Sequence, residues 1–226
     1  MLSHQQILHF AAFGFVVLRG LLSPAEAAAL RAEVTTELAG AFGRLGTDPG
    51  DEGGISGDYL PLAVDRAPLS QSLIADDRRT FGVAAELLGD LAVPSVGIAT
   101  CFTGDSTWHT RQGPAVGGVA LWADLEPRTA ATGALRLVPG SHLPEFERQL
   151  WTYLRAEPAA SGFEDWDWPH VAVQTEPGDV VAFDLHLMNC ARGGAPRLTW
   201  TIEYLPWAGL THRDQLDQVR GSTSRS

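Results

Sequence analysis

The chain has 226 residues, 45% of them hydrophobic, with 24 glycines, 14 prolines and a formal net charge of -11. This length supports one domain with a sizeable core, and the acidic balance without a basic stripe argues against a nucleic-acid partner. Every basic residue is arginine, and the absence of lysine excludes Schiff-base chemistry on a side-chain amine.

Residues 3–12 are read as a short helix, and Gly14-Phe15-Val16-Val17-Leu18-Arg19 as a first strand rich in β-branched residues. Ser23-Pro24-Ala25-Glu26 opens the clearest helix, with a capping serine, a proline suited to the first turn and a glutamate that completes a capping box. Leu30, Val34 and Leu38 give that helix an apolar stripe, and Gly40 or Gly43 is the expected stop. Residues 43–57, rich in Gly, Asp and Pro, read as a surface loop able to cover a pocket. Helices follow at 69–74 and 79–88, then one buried strand at 93–102 leading into Trp108. Strands are expected at 116–125, 133–138, 171–174, 180–187 and 197–205, with a helix at 143–157. The tail after Trp207 is polar and expected to be disordered at its end. No repeat or boundary divides the chain, so residues 1–226 are taken as a single domain. Many short strands with helices gathered at the start predict a mainly β jelly roll or barrel with N-terminal helical buttresses.

Two cysteines, Cys101 and Cys190, form no spacing motif and read as reduced thiols of a cytoplasmic protein. The N-terminus lacks the layout of a secretory signal, and no apolar run reaches membrane-spanning length, so no membrane partner is expected.

Three stretches carry the chemistry. They are Trp108-His109-Thr110-Arg111, the segment from Gly133-Ala134-Leu135-Arg136 to Val138-Pro139-Gly140-Ser141-His142, and the run from Gly178-Asp179 to Leu187-Met188-Asn189. Together they resemble the phytanoyl-CoA dioxygenase family of iron- and 2-oxoglutarate-dependent oxygenases, over roughly residues 13–206. The resemblance implies a double-stranded β-helix, a cupin-like jelly roll of two sheets around a pocket. In that family a His-x-Asp pair and a later His hold Fe(II) as a two-His, one-carboxylate facial triad. Here the resemblance places His109 at the first position, Arg111 at the carboxylate position and Asn189 at the second His. Arginine has no lone pair to give a metal and asparagine offers only a neutral amide. The cosubstrate residues fare better: Arg197 matches the arginine that pairs with the distal carboxylate of 2-oxoglutarate, and Trp122 a position beside it.

These residues support three functions. In the first, His109, Arg111 and Asn189 act as base, cation and amide donor in metal-independent proton transfer, cyclisation, isomerisation or elimination, on an acidic or carbonyl-bearing small molecule of secondary metabolism. A guanidinium on the same strand face disfavours a second cation, which leaves His109 a lone pair for that work. No metal and no cofactor are then expected, though Arg197 could still take 2-oxoglutarate or another carboxylate. In the second, the chain is an orthodox Fe(II)/2-oxoglutarate oxygenase with a non-standard ligand set, in which His186 rescues the site with Asp105 or Asp184 as the acid. In the third, it is a non-catalytic pseudo-oxygenase that binds a ligand, a second copy or an active paralogue. Ser141-His142 and Cys190 are read as structural, and Glu164-Asp165-Trp166-Asp167-Trp168 as a solvated loop.

Overall fold

The computed structural model describes residues 1–45, 56–62, 67–75, 77–94, 97–103, 105–110, 117–155, 169–192 and 196–210. Helix α1 (His4–Phe13) is capped by Ser3, whose Oγ accepts from Gln6 N at 3.2 Å while the Gln6 side chain accepts from Ser3 N at 2.8 Å. Strand β1 (Phe15–Leu18) follows, then α2 (Pro24–Leu45). The predicted capping box is present: Glu26 accepts from Ser23 N at 2.7 Å, and Ser23 Oγ from Glu26 N at 3.3 Å.

Helix α2 runs through both glycines expected to end it. A helix-interior glycine costs only about 1 kcal/mol, less than the burial of Leu30, Val34 and Leu38 against the sheet returns. The remaining elements are β2 (Ser56–Pro61), α3 (Pro68–Ala75), α4 (Arg78–Leu88), β3 (Ala92–Pro94), β4 (Ile98–Thr103), β5 (Val119–Asp124), β6 (Leu135–Leu137) and α5 (Pro144–Arg155). Then come β7 (Val171–Val173), β8 (Val180–Asp184), β9 (Asn189–Ala191), β10 (Arg197–Pro206) and a closing 3-10 turn, Trp207–Leu210. The single strand expected at 93–102 is thus two, β3 and β4, which both pair with β10. The loop expected at 43–57 lies mostly outside the described residues, as do 162–168 and the tail.

Two antiparallel sheets face each other. The larger has the order β1-β8-β5-β10-β4-β2 with β3 beside β10, and the smaller β7-β6-β9. Alternation along each strand sorts the core into two layers. Leu121, Ala123, Val180, Ala182, Trp200, Ile202 and Tyr204 pack outward against α2, α3 and α4. Ala120, Trp122, Val181 and Phe183 point inward and meet Leu135, Leu137 and Val173 of the small sheet. No described helix is long and apolar enough to cross a membrane.

A charged clasp ties α2 to α4. Arg79 Nη2 lies 2.6 Å from Glu26 Oε1, and its Nε lies 3.0 Å from Asp77 Oδ2. The Arg79 hydrogen bond, with donors from Ser23, pulls the Glu26 carboxyl down to about 2. Its folded value is below the unfolded one, so this contribution is complete above the ordinary carboxylate range and disappears as the pH falls towards 2. The clasp is partly solvated, so its worth is about 1 kcal/mol. Urea unfolding should show wild type losing that stability between pH 5 and pH 2, and Arg79→Ala losing less over the same interval.

Candidate functional site

The small sheet sets the rim of the barrel. In its register Leu137 faces Asn189, Arg136 faces Cys190 and Leu135 faces Ala191. Leu135 and Leu137 belong to the inner cluster, so Asn189 shares their inward face while Cys190 turns away. Across from Asn189 sits His109, in an isolated antiparallel bridge. The two residues exchange both backbone bonds, His109 N to Asn189 O at 3.0 Å and Asn189 N to His109 O at 2.8 Å. Directly opposed residues point to the same face, so the histidine and the asparagine face the barrel mouth as neighbours. The stretch around His109 is otherwise irregular, not the strand expected from the sequence. Arg111 lies outside the described residues.

The His109 ring is exposed, and its Nδ1 lies 2.8 Å from the carbonyl oxygen of Thr107. A carbonyl can only accept, so Nδ1 carries the hydrogen and Nε2 of the neutral ring keeps the lone pair. Asn189 is 5% exposed, and its Nδ2 donates to His109 O at 3.1 Å and to Leu187 O at 3.0 Å. Those two bonds use both amide hydrogens. Its amide hydrogens are thus committed within the protein, which leaves the side-chain carbonyl oxygen as the group Asn189 could offer a ligand.

The run from Gly178 to Asn189 is not one strand either. It leaves the large sheet at Asp184, turns, and enters the small sheet as β9. The turn is local: Asp184 Oδ1 accepts from His186 N at 2.8 Å, and Asp184 O accepts from Leu187 N at 2.9 Å. His186 sits on that turn with Nδ1 3.2 Å from the same carboxylate. Its placement follows from this turn. Ser141 is structural as expected, its buried Oγ accepting from Met188 N at 2.8 Å. Cys190 is a packed thiol whose burial pushes it up to about 11.

Deeper in the barrel the inward side chains become polar. Thr100 and Thr199 hydrogen-bond to each other through their hydroxyls. Arg197 opens β10 and is 1% exposed. Burial lowers its guanidinium from the usual value, and Asp105 is the charge that opposes this most. Trp122 packs in the inner core cluster and donates through Nε1 to Asp124 Oδ1 at 3.0 Å. Asp124 also accepts from Thr175 Oγ1 at 2.7 Å through its other oxygen. Burial raises its carboxyl above the ordinary value, against the pull of Thr175, Trp122, Arg128 and Arg197. Arg128, also buried, donates to Glu126 Oε2 at 2.8 Å and to Pro196 O at 2.9 Å. Asp124, Arg128 and Thr175 were not singled out by the sequence reading. Counting two residues on from Trp122 along an inward-facing strand would have found the first of them.

A groove of about 750 Å³ lies along α2, lined by Ala28, Arg31, Thr35, Leu125 and Pro177 among others. It is on the helical side of the large sheet and shares no residue with the barrel interior. Among the described residues no cluster of three or more His, Cys, Asp or Glu could hold a metal ion.

Two antiparallel sheets closed over a polar interior, with a histidine at the rim and a buried arginine on the inner wall, define a jelly roll of the non-haem oxygenase type. The chain belongs to the phytanoyl-CoA dioxygenase (PhyH) family, whose sequence profile matches residues 10–193. Solved structures agree on the fold. AviO1 from Streptomyces viridochromogenes Tue57 is 24% identical over 91% of this chain and 95% of its own, with a TM-score of 0.69. SnoN, a non-heme alpha ketoglutarate dependent epimerase from nogalamycin biosynthesis, is 18% identical over 89% of this chain and 81% of its own, at 0.68. EctD from S. alaskensis, crystallised with 2-oxoglutarate and 5-hydroxyectoine, is 22% identical over 92% of this chain and 77% of its own, at 0.66. No curated protein matches the sequence.

Proposed function

We propose that this family member has lost the ferrous site and acts as a metal-independent enzyme of a biosynthetic pathway, on a small acidic or carbonyl-bearing molecule. The observation that carries the reading is the bridge between His109 and Asn189. It puts an amide directly opposite the one histidine that the family resemblance assigns to the metal. By donor chemistry the three positions do not fit Fe(II): one imidazole, one guanidinium without a lone pair, and one neutral amide oxygen.

The same residues suit proton transfer. His109 Nε2 takes a proton from carbon next to a substrate carbonyl, and the C–H electron pair moves onto the carbonyl oxygen. Arg111 holds the enolate oxygen. Return of the proton to another carbon gives isomerisation, and expulsion of a neighbouring leaving group gives elimination. Asn189 keeps the His109 backbone in place.

The second reading, an iron and 2-oxoglutarate enzyme with a non-standard ligand set, is favoured by SnoN and by the EctD structure with bound Fe. Metal analysis of the purified protein separates the two. Stoichiometric iron with succinate release from 2-oxoglutarate would establish the second and end the first. Metal-free turnover of the native substrate that falls at least about tenfold in His109→Ala and in Arg111→Ala supports the first. Turnover unchanged by both substitutions would remove it.

A further inference from the structure

We infer that Ser141 is a positioning residue for the site at the barrel mouth: its hydroxyl stands in for a ladder acceptor that the chain has turned away, and so fixes how Asn189 meets His109. The placement comes from strand register. On one edge of β9, Asn189 exchanges backbone bonds with His109. On the other edge β9 pairs with β6, with Leu137 facing Asn189 and Arg136 facing Cys190. Antiparallel pairs alternate between those that exchange two backbone bonds and those that exchange none. One step past β6, the register sets Val138 opposite Met188, in a pair of the bonded kind.

Half of that pair is made by the backbone: Val138 N donates to Met188 O at 3.0 Å. The reciprocal acceptor, Val138 O, is taken by Ser141 N at 3.2 Å, because the chain turns at Pro139-Gly140 with Gly140 at φ +81°. The Ser141 side chain fills the vacated place, its Oγ accepting from Met188 N at 2.8 Å. Both residues are buried, so without the hydroxyl the Met188 N–H has no water to turn to.

A shift at Met188 reaches Asn189 from two sides. It moves the Asn189 backbone, and it moves Leu187 O, one of the two acceptors that orient the Asn189 amide. The turn that carries Ser141 cannot follow such a shift. Gly140 N donates to Phe13 O at 3.0 Å, and His142 Nε2 donates to Ala11 O at 3.3 Å, which pins the turn to α1. Gly14 lies so near that a Cβ built on it would sit 2.6 Å from both His142 Nδ1 and Leu187 Cδ1. The hydroxyl is therefore an anchored acceptor, and its loss is felt at residues 188 and 189. The inference rests on positions 109 and 189 lining one site, whichever chemistry that site performs, and not on the absence of iron.

The test is a proton–nitrogen NMR correlation spectrum of ligand-free wild type, Ser141→Ala and Ser141→Thr, with Asn189→Asp to assign the side-chain amide. In Ser141→Ala the Asn189 side-chain protons should lose the downfield shift that two hydrogen bonds give them, and the backbone amides of His109 and Asn189 should move with them. The amides of Val181 and Ile202 in the large sheet should stay where they are, which a general loosening of the fold would not allow. Ser141→Thr keeps the hydroxyl and should restore the wild-type positions. If Ser141→Ala does not fold, Ser141→Cys, whose thiol is a weak acceptor, carries the comparison. Unchanged Asn189 and His109 signals in Ser141→Ala, shifts spread evenly over the large sheet, or a Ser141→Thr spectrum that matches Ser141→Ala would each overturn the inference. Iron found in the purified protein would remove the metal-free reading and leave this one standing.

Discussion

Arg111→Asp combined with Asn189→His is expected to give this chain a ferrous site, with affinity on the order of a hundredfold or more above that of the unchanged protein. The first substitution removes a cation that repels the metal and adds an anionic oxygen in its place. The second places an imidazole opposite His109, because the bridge between positions 109 and 189 makes their side chains neighbours on one face. The exchange costs stability. Asn189 loses donor bonds to His109 O and Leu187 O, each worth about 1 kcal/mol. A histidine can recover one of them through Nδ1 and still direct Nε2 at the metal. Anaerobic calorimetry with Fe(II), or the visible bands of Co(II), reads the affinity. Asn189→His alone should gain less, because Arg111 remains. A double variant that binds no better than wild type would show that positions 111 and 189 are not where the family's ligands stand.

Much of this architecture is legible in the residues. A capping box at Ser23 and Glu26 announces α2, β-branched pairs announce β1 and β8, and an apolar run announces β5, because caps and strand composition are decided within a few residues. The break at Asp184 is not legible in the same way. The apolar run continues through Leu185, Leu187 and Met188, all of which stay buried. Asp184, whose side chain accepts from His186 N and whose carbonyl accepts from Leu187 N, turns the chain from one sheet to the other. That turn decides which face Asn189 presents and where His186 goes, so the candidate site needed tertiary structure to be read. The interior carboxylate was hidden for a related reason. Asp124 ends a strand whose other residues are all apolar, and its partners Thr175 and Arg128 come from distant segments that periodicity does not link.

Strand β10 joins the site to the stability of the whole. Its inward residues Arg197, Thr199 and Thr201 wall the barrel, while Trp200, Ile202 and Tyr204 face the helices. Trp200 is fully buried, and its Nε1 donates to Ser70 Oγ on α3 at 2.7 Å. Trp200→Ala is therefore expected to cost about 3–5 kcal/mol, from lost transfer free energy and the cavity left behind. In a domain of this size that lowers Tm by roughly 10 °C or more. Ser70→Ala strands the indole N–H in an apolar layer and should cost about 1–3 kcal/mol, with no cavity of indole size. Urea unfolding of the two variants against wild type measures both. If Trp200→Ala lost no more than Ser70→Ala, the helical layer would not be anchored through this indole. The inner wall depends on the same anchor: packing that lets position 200 shift moves Arg197 and Thr199, its neighbours on the opposite face. Loss of the tryptophan should then loosen the inner wall at Arg197 and Thr199 without touching either residue.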